Sequence, residues 1–137
     1  MISKKRVQEL LDDWAPMILK AFDLEDKVIN IYIVNSETKA FKRIDAASKM
    51  DGCFGYTLLD AKKPVHIWIL RDKHHNELEV VGTIFHELCH VLWFYLYKED
   101  EKVGVDIDEP ASDEEEEFIQ KIEKVFKEWI KAGVKLQ

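Results

Sequence analysis

The sequence predicts an α+β fold, with a short sheet of three or four strands packed against an N-terminal, a central and a C-terminal helix. Three observations carry that prediction. Apolar residues recur at helical spacing in three stretches, 4–23, 76–97 and 114–132. β-Branched and aromatic residues crowd two short runs, VINIYIV (28–34) and VHIWIL (65–70). Turn residues separate these runs, and no stretch is apolar for long enough to span a membrane. With 137 residues, 47% of them hydrophobic, a single domain covering 1–137 with a real core is expected.

The first helix covers 4–23, with Val7, Leu10, Leu11, Trp14, Ile18 and Phe22 as its apolar stripe. Pro16 is expected to kink it or split it after Ala15. Residues 28–34 form the first strand, and Asn35–Thr38 a turn. Residues 39–51 are polar, with a short helix or loop around Ala46–Met50. Asp51-Gly52 signals a turn before a second strand, Cys53–Leu59. Asp60–Pro64 reverses the chain into the third strand, Val65–Leu70. That strand can line the rim of a cleft and pair with an extended peptide by strand addition.

The helix that follows holds the most informative residues. Asn76 is its N-cap, with Glu79 as capping-box partner. Leu78, Val81, Ile84, Phe85, Leu88, Leu92, Trp93 and Leu96 keep the helical phase. Within it, His86-Glu87-Leu88-Cys89-His90 forms an H-E-x-x-H motif. Four residues of separation put both imidazoles on one face, one turn apart, so both can reach one metal ion. Glu87 lies about 100° around the helix, where it can touch a metal-bound water without ligating the metal. A chain with 5 His and 15 Glu produces this motif by shuffling in only about 2 cases per 100, and such cases need not sit mid-helix in phase with the apolar stripe. Gly82, one turn before His86, either leaves room beside a metal or substrate or is a packing glycine.

Residues 98–113 are acidic and carry Gly104 and Pro110, which reads as a loop, and one that would mask the cleft if it folded back. Asp106, Asp108 and Glu109 lack the spacing and glycine of a calcium-binding EF-hand loop. The last helix, 114–132, opens on Glu114–Glu117, where the helix dipole favours negative charge. Its stripe is Phe118, Ile119, Ile122, Val125, Phe126, Trp129 and Ile130.

A catalytic zinc takes three protein ligands and keeps one open position. No histidine follows His90, so a carboxylate must be the third ligand, and the acid run at 114–117 is the source. Helical geometry leaves Glu115, near the centre of the apolar stripe, and Glu116, near its edge, as close alternatives. Tyr95, Tyr97, His74 and His75 are candidates to steady an oxyanion. His66, on the third strand, is expected to face solvent. Cys89 points about 100° away from His90 and is expected to be reduced, buried filler. With Cys53 as the other cysteine and no signal peptide, a cytoplasmic location is expected. The net charge of −7 argues against nucleic-acid partners.

The order of helix, short sheet, H-E-x-x-H helix, loop and glutamate-bearing helix resembles the gluzincin metallopeptidases. The similar features are Trp14, VHIWIL, TIFHELCHVL and EEEEFIQKI. The nearest likeness is to small minigluzincins and related phage-type peptidases, and a more distant one to the ImmA/IrrE type. The resemblance implies a zincin-like fold and one Zn²⁺ held by His86, His90 and a glutamate. It also implies Glu87 as general base and a peptide or protein as substrate. In such proteins the ligand glutamate is followed three residues later by a small or apolar residue and four later by a polar residue that supports the site. Glu116 with Ile119 and Gln120 matches; Glu115 with Phe118 and Ile119 does not. Glu116 is therefore the implied ligand. The chain departs from the pattern at Cys89 and in lacking an evident oxyanion motif. The contrasting expectation is a non-catalytic, metal-stabilised regulatory protein with a vestigial site, although an intact Glu87 favours the enzyme.

Overall fold

A computed structural model of the chain describes residues 2–35, 55–58, 64–98 and 113–131. The architecture is mixed α and β, with the order α1 (Lys4–Ala21), β1 (Ile29–Val34), β2 (Gly55–Leu58), β3 (Val65–Leu70), α2 (Glu77–Trp93) and α3 (Asp113–Lys131). The expected helix or loop at 46–50, the turns at 36–38, 51–52 and 60–63, Cys53 and the acidic loop at 99–112 lie outside the described residues.

Ser3 caps α1 by accepting a hydrogen bond from the Arg6 amide at 3.1 Å. The expected break after Ala15 does not occur, and the helix runs through Pro16 to Ala21. Pro16 and Asp12 both face solvent, so the Asp12 carbonyl that loses its partner at Pro16 is on the watered side. Val7, Leu10, Leu11, Ala15 and Ile18 are buried beneath the helix.

The strand order is β1-β3-β2. β1 runs parallel to β3 in the register Ile29↔Val65 to Val34↔Leu70, and β2 runs antiparallel with Gly55↔Ile69 and Thr57↔Ile67. β3 therefore uses both of its edges inside the sheet, and its backbone is not free to receive a peptide. The expectation that Val65–Leu70 pairs with one is corrected. Among the described residues β1 and β2 are the two edge strands, each with its outer side unpaired. The period of two explains the layering: Val65, Ile67 and Ile69 are buried toward the helices, whereas Tyr32, His66 and Trp68 share the opposite face. There the His66 Nδ1 lies 3.0 Å from the Tyr32 hydroxyl, in a stack of rings away from the helices.

Asn76 caps α2 by accepting from the Glu79 amide at 2.9 Å, and the Glu79 carboxylate accepts from the His75 amide at 3.1 Å. α2 continues into a wider π-helical turn at Phe94–Lys98. An aromatic cluster ties the three helices together. Phe85 of α2 stacks on Phe126 of α3 with centroids 3.9 Å apart. Trp14 meets Phe126 edge-on, and Phe22 packs against Phe85. Burial of such rings contributes several kcal/mol in aggregate, about 25 cal/mol per Å² of apolar area, and it fixes the face of α3 presented to α2. No helix among the described residues is long and apolar enough to cross a membrane.

Among the described residues a methyl group at Gly82 would meet nothing within 4 Å, so none of them packs against this glycine. Gly82→Ala is expected to stabilise the protein by about 0.5–1 kcal/mol, because alanine restricts the unfolded chain and favours the helix. Calorimetric melting of the two proteins checks it, and an unchanged or lower melting temperature would show that the space is needed.

Candidate metal centre

His86 and His90 leave α2 one turn apart, with their rings inclined at 72° and their Nε2 atoms 3.2 Å apart. From α3, Glu116 places Oε1 3.9 Å from the His90 Nε2. One ligand atom from each of His86, His90 and Glu116 lies within 4.8 Å of the other two, and all three residues are half-buried. This group can hold a metal ion. A tetrahedral ion with bonds of about 2.0 Å to nitrogen holds two nitrogens about 3.3 Å apart, which is the spacing of the imidazoles here.

The far side of each ring supports the same conclusion. His86 Nδ1 donates to the Glu123 carboxylate. His90 Nδ1 faces the Glu115 carboxylate at 3.4 Å. A carboxylate can only accept, so each Nδ1 carries the hydrogen and each Nε2 carries a lone pair. Two lone pairs 3.2 Å apart repel unless a cation sits between them. Burial of His86 lowers its affinity for a proton, but the hydrogen bond to Glu123 and the charges of Glu87, Glu123 and Glu116 outweigh burial and raise its pKa. That raised pKa stabilises the metal-free fold below the unfolded histidine value, and the contribution is lost as pH rises through the folded value.

The two glutamates that sequence geometry left close are now distinguished by their partners. Glu115 is only 4% exposed and sits against the back of His90. Glu116, whose side chain is 42% exposed, belongs to the ligand group at the front. Gln120, matched from the resemblance as a supporting polar residue, is exposed, and the carboxylate that supports His86 is Glu123 instead. Glu123 is seven residues after Glu116, two turns along the same face, and that spacing was the available signal.

Glu87 is 6% exposed and stays outside the ligand group. Its carboxylate accepts a hydrogen bond from the Thr57 hydroxyl of β2. Sequence reasoning missed Thr57 and its neighbour Gly55. A glycine inside a strand pattern was the clue, because it often marks a close approach of backbone.

The other candidates fall elsewhere. His74 is buried, with Nδ1 2.7 Å from the Leu70 carbonyl and Nε2 2.8 Å from the Thr83 hydroxyl, and burial holds its pKa down. Both of its ring nitrogens are thus engaged by the scaffold. His75 is exposed beside the α2 cap. Tyr95 is half-buried, with the Lys27 ammonium 4.5 Å from its ring centroid. Cys89 is fully buried, burial pushes its thiol pKa far up, and it lies outside the His86, His90 and Glu116 group. The side chain of Tyr97 and residues Asp106, Asp108 and Glu109 lie outside the described residues. Comparison with protein-family models, curated proteins and solved structures finds no match to the chain.

Proposed function

We propose that the chain is a zinc-dependent metallopeptidase of the gluzincin kind, with a zincin-like arrangement of sheet and helices. His86, His90 and Glu116 are the metal ligands and Glu87 is the general base. The observation that carries this reading is the division of roles among the carboxylates. Glu116 joins the two Nε2 atoms, Glu115 and Glu123 stand behind the rings, and Glu87 stands beside the cluster without entering it. A purely structural zinc site is closed by four protein ligands and needs no adjacent base.

When bound, zinc supplies Lewis acidity, which makes a water nucleophilic near neutral pH and polarises a carbonyl. The protein's own residues do the rest. Glu87 accepts the proton of the attacking water at its carboxylate and delivers it to the leaving amine. Glu115 and Glu123 hold each imidazole in the tautomer that leaves Nε2 free and limit ring rotation. Of the two edge strands, β2 is the one beside Glu87, and its outer side, unpaired among the described residues, is placed to align the main chain of an extended peptide by strand addition.

Elemental analysis of the purified protein, followed by cleavage of a quenched-fluorescent peptide library, tests the reading. One zinc per chain is expected, with cleavage abolished by a chelator and restored by zinc. Failure to bind metal even on reconstitution would dispose of the metal centre. Bound zinc with no cleavage would make the site structural. Iron in place of zinc would redirect the chemistry, since two histidines and a carboxylate also suit Fe(II).

A further inference from the structure

We propose that Thr57, brought into place by Gly55, is the positioning residue for Glu87. The inference rests on the hydrolytic reading above. Gly55 and Thr57 are two residues apart on β2 and so share the face toward α2. A Cβ at Gly55 would lie 3.0 Å from both Thr83 Cγ2 and the Trp68 carbonyl oxygen, and 3.3 Å from Glu87 Cγ. The strand and helix thus approach more closely than a side chain at this position comfortably allows, and the backbone carbonyl of Trp68 cannot swing aside. That approach is what lets the short Thr57 side chain reach the acid. Its hydroxyl donates to Glu87 Oε2 and lies 3.5 Å from the Glu87 backbone carbonyl.

The lower wall of this joint is itself braced. Thr83, whose methyl lies beneath Gly55, is held by His74 at 2.8 Å, and His74 is tied at 2.7 Å to the Leu70 carbonyl at the end of β3. Both neighbours of β2, the helix α2 and the strand β3, are therefore tied together through His74.

The consequence is chemical. A glutamate next in sequence to one of two clustered histidines has the reach to swing in as a further ligand and close the open position. The Thr57 hydroxyl engages Oε2 and leaves Oε1 to take the proton, so Glu87 remains a base and not a ligand. The same four residues then set the base and, through the side left unpaired among the described residues, are placed to set the line of the peptide. Thr57 faces the helix, so removing its hydroxyl leaves that pairing side unaltered.

The test compares wild type with Thr57→Val, which removes the hydroxyl and keeps the shape, and Thr57→Ser, which keeps the hydroxyl. In zinc-loaded protein, Thr57→Val is expected to retain one zinc per chain and an unchanged KM. Its kcat for a cleaved library peptide should fall about tenfold to a hundredfold, with most of the loss recovered in Thr57→Ser. Equal turnover in wild type and Thr57→Val, or equal loss in both variants, would overturn the proposal. A second readout needs neither metal nor substrate. A double-mutant cycle of Thr57→Val and Glu87→Ala on the melting temperature of metal-free protein should be non-additive by a few degrees. Additive shifts would show that the two side chains do not hold each other. If wild type cleaves no peptide, the hydrolytic reading fails by itself and the cycle still decides the contact.

Discussion

Glu116→Ala is expected to lose its metal while the metal-free protein remains folded. Structural zinc sites bind with about 10–16 kcal/mol, and on that scale one ligand is worth a few kcal/mol. Affinity should fall on the order of a hundredfold or more, as read by competition with a chromophoric chelator. The fold has little stake in this side chain. It is 42% exposed, and among the described contacts its partner is His90 at 3.9 Å. Its removal also relieves repulsion within a site where Glu87, Glu115, Glu116 and Glu123 surround two imidazoles. Glu115→Ala and Glu123→Ala should each cost less, about tenfold to a hundredfold in affinity, because they act through the rings. Zinc lost with Glu115→Ala and retained with Glu116→Ala would mean that α3 presents the other face of its first turn to the metal.

Glu87→Gln is expected to separate metal binding from chemistry. The amide keeps the size of the carboxylate, and its oxygen can still accept from Thr57, so the packing around this 6% exposed side chain is preserved. It cannot take a proton. Hydrolysis should therefore drop roughly a thousandfold, within the 10²–10⁴ that a positioned base contributes, with one zinc per chain retained. Parallel metal analysis and peptide turnover check it. Zinc lost with this variant would place Glu87 among the ligands. Turnover near wild type would remove it from the mechanism.

The parts of this protein legible in its sequence are those set by short-range periodicity. Four residues between His86 and His90, with an apolar stripe in phase, make a helix that shows both rings on one side. Asn76 and Glu79 announce where that helix starts. The alternation of Val65, Ile67 and Ile69 with His66 and Trp68 announces a strand with one buried face. Of the kink or split expected at Pro16, the split after Ala15 does not occur, because Asp12 and Pro16 face water and the helix tolerates the lost hydrogen bond there.

What only the tertiary structure decided depends on contacts between distant segments. Glu123 reaches His86 across 37 residues and Thr57 reaches Glu87 across 30. The seven-residue spacing from Glu116 marks the helix face of Glu123, but no period names His86 as its partner or Thr57 as the partner of Glu87. Helical geometry left Glu115 and Glu116 nearly equivalent, because they differ by one step of about 100° on the same turn. The stacking of Phe85 on Phe126 sets the rotation of α3, and with it which carboxylate stands before the rings and which behind. The order β1-β3-β2 likewise leaves the open edges, among the described residues, to β1 and β2 and not to the more hydrophobic β3, because hydrogen bonds on both sides leave β3 no free backbone. Sequence alone determined that two imidazoles and an acid would share one helix face or its flank. Packing between elements determined which further acids surround them.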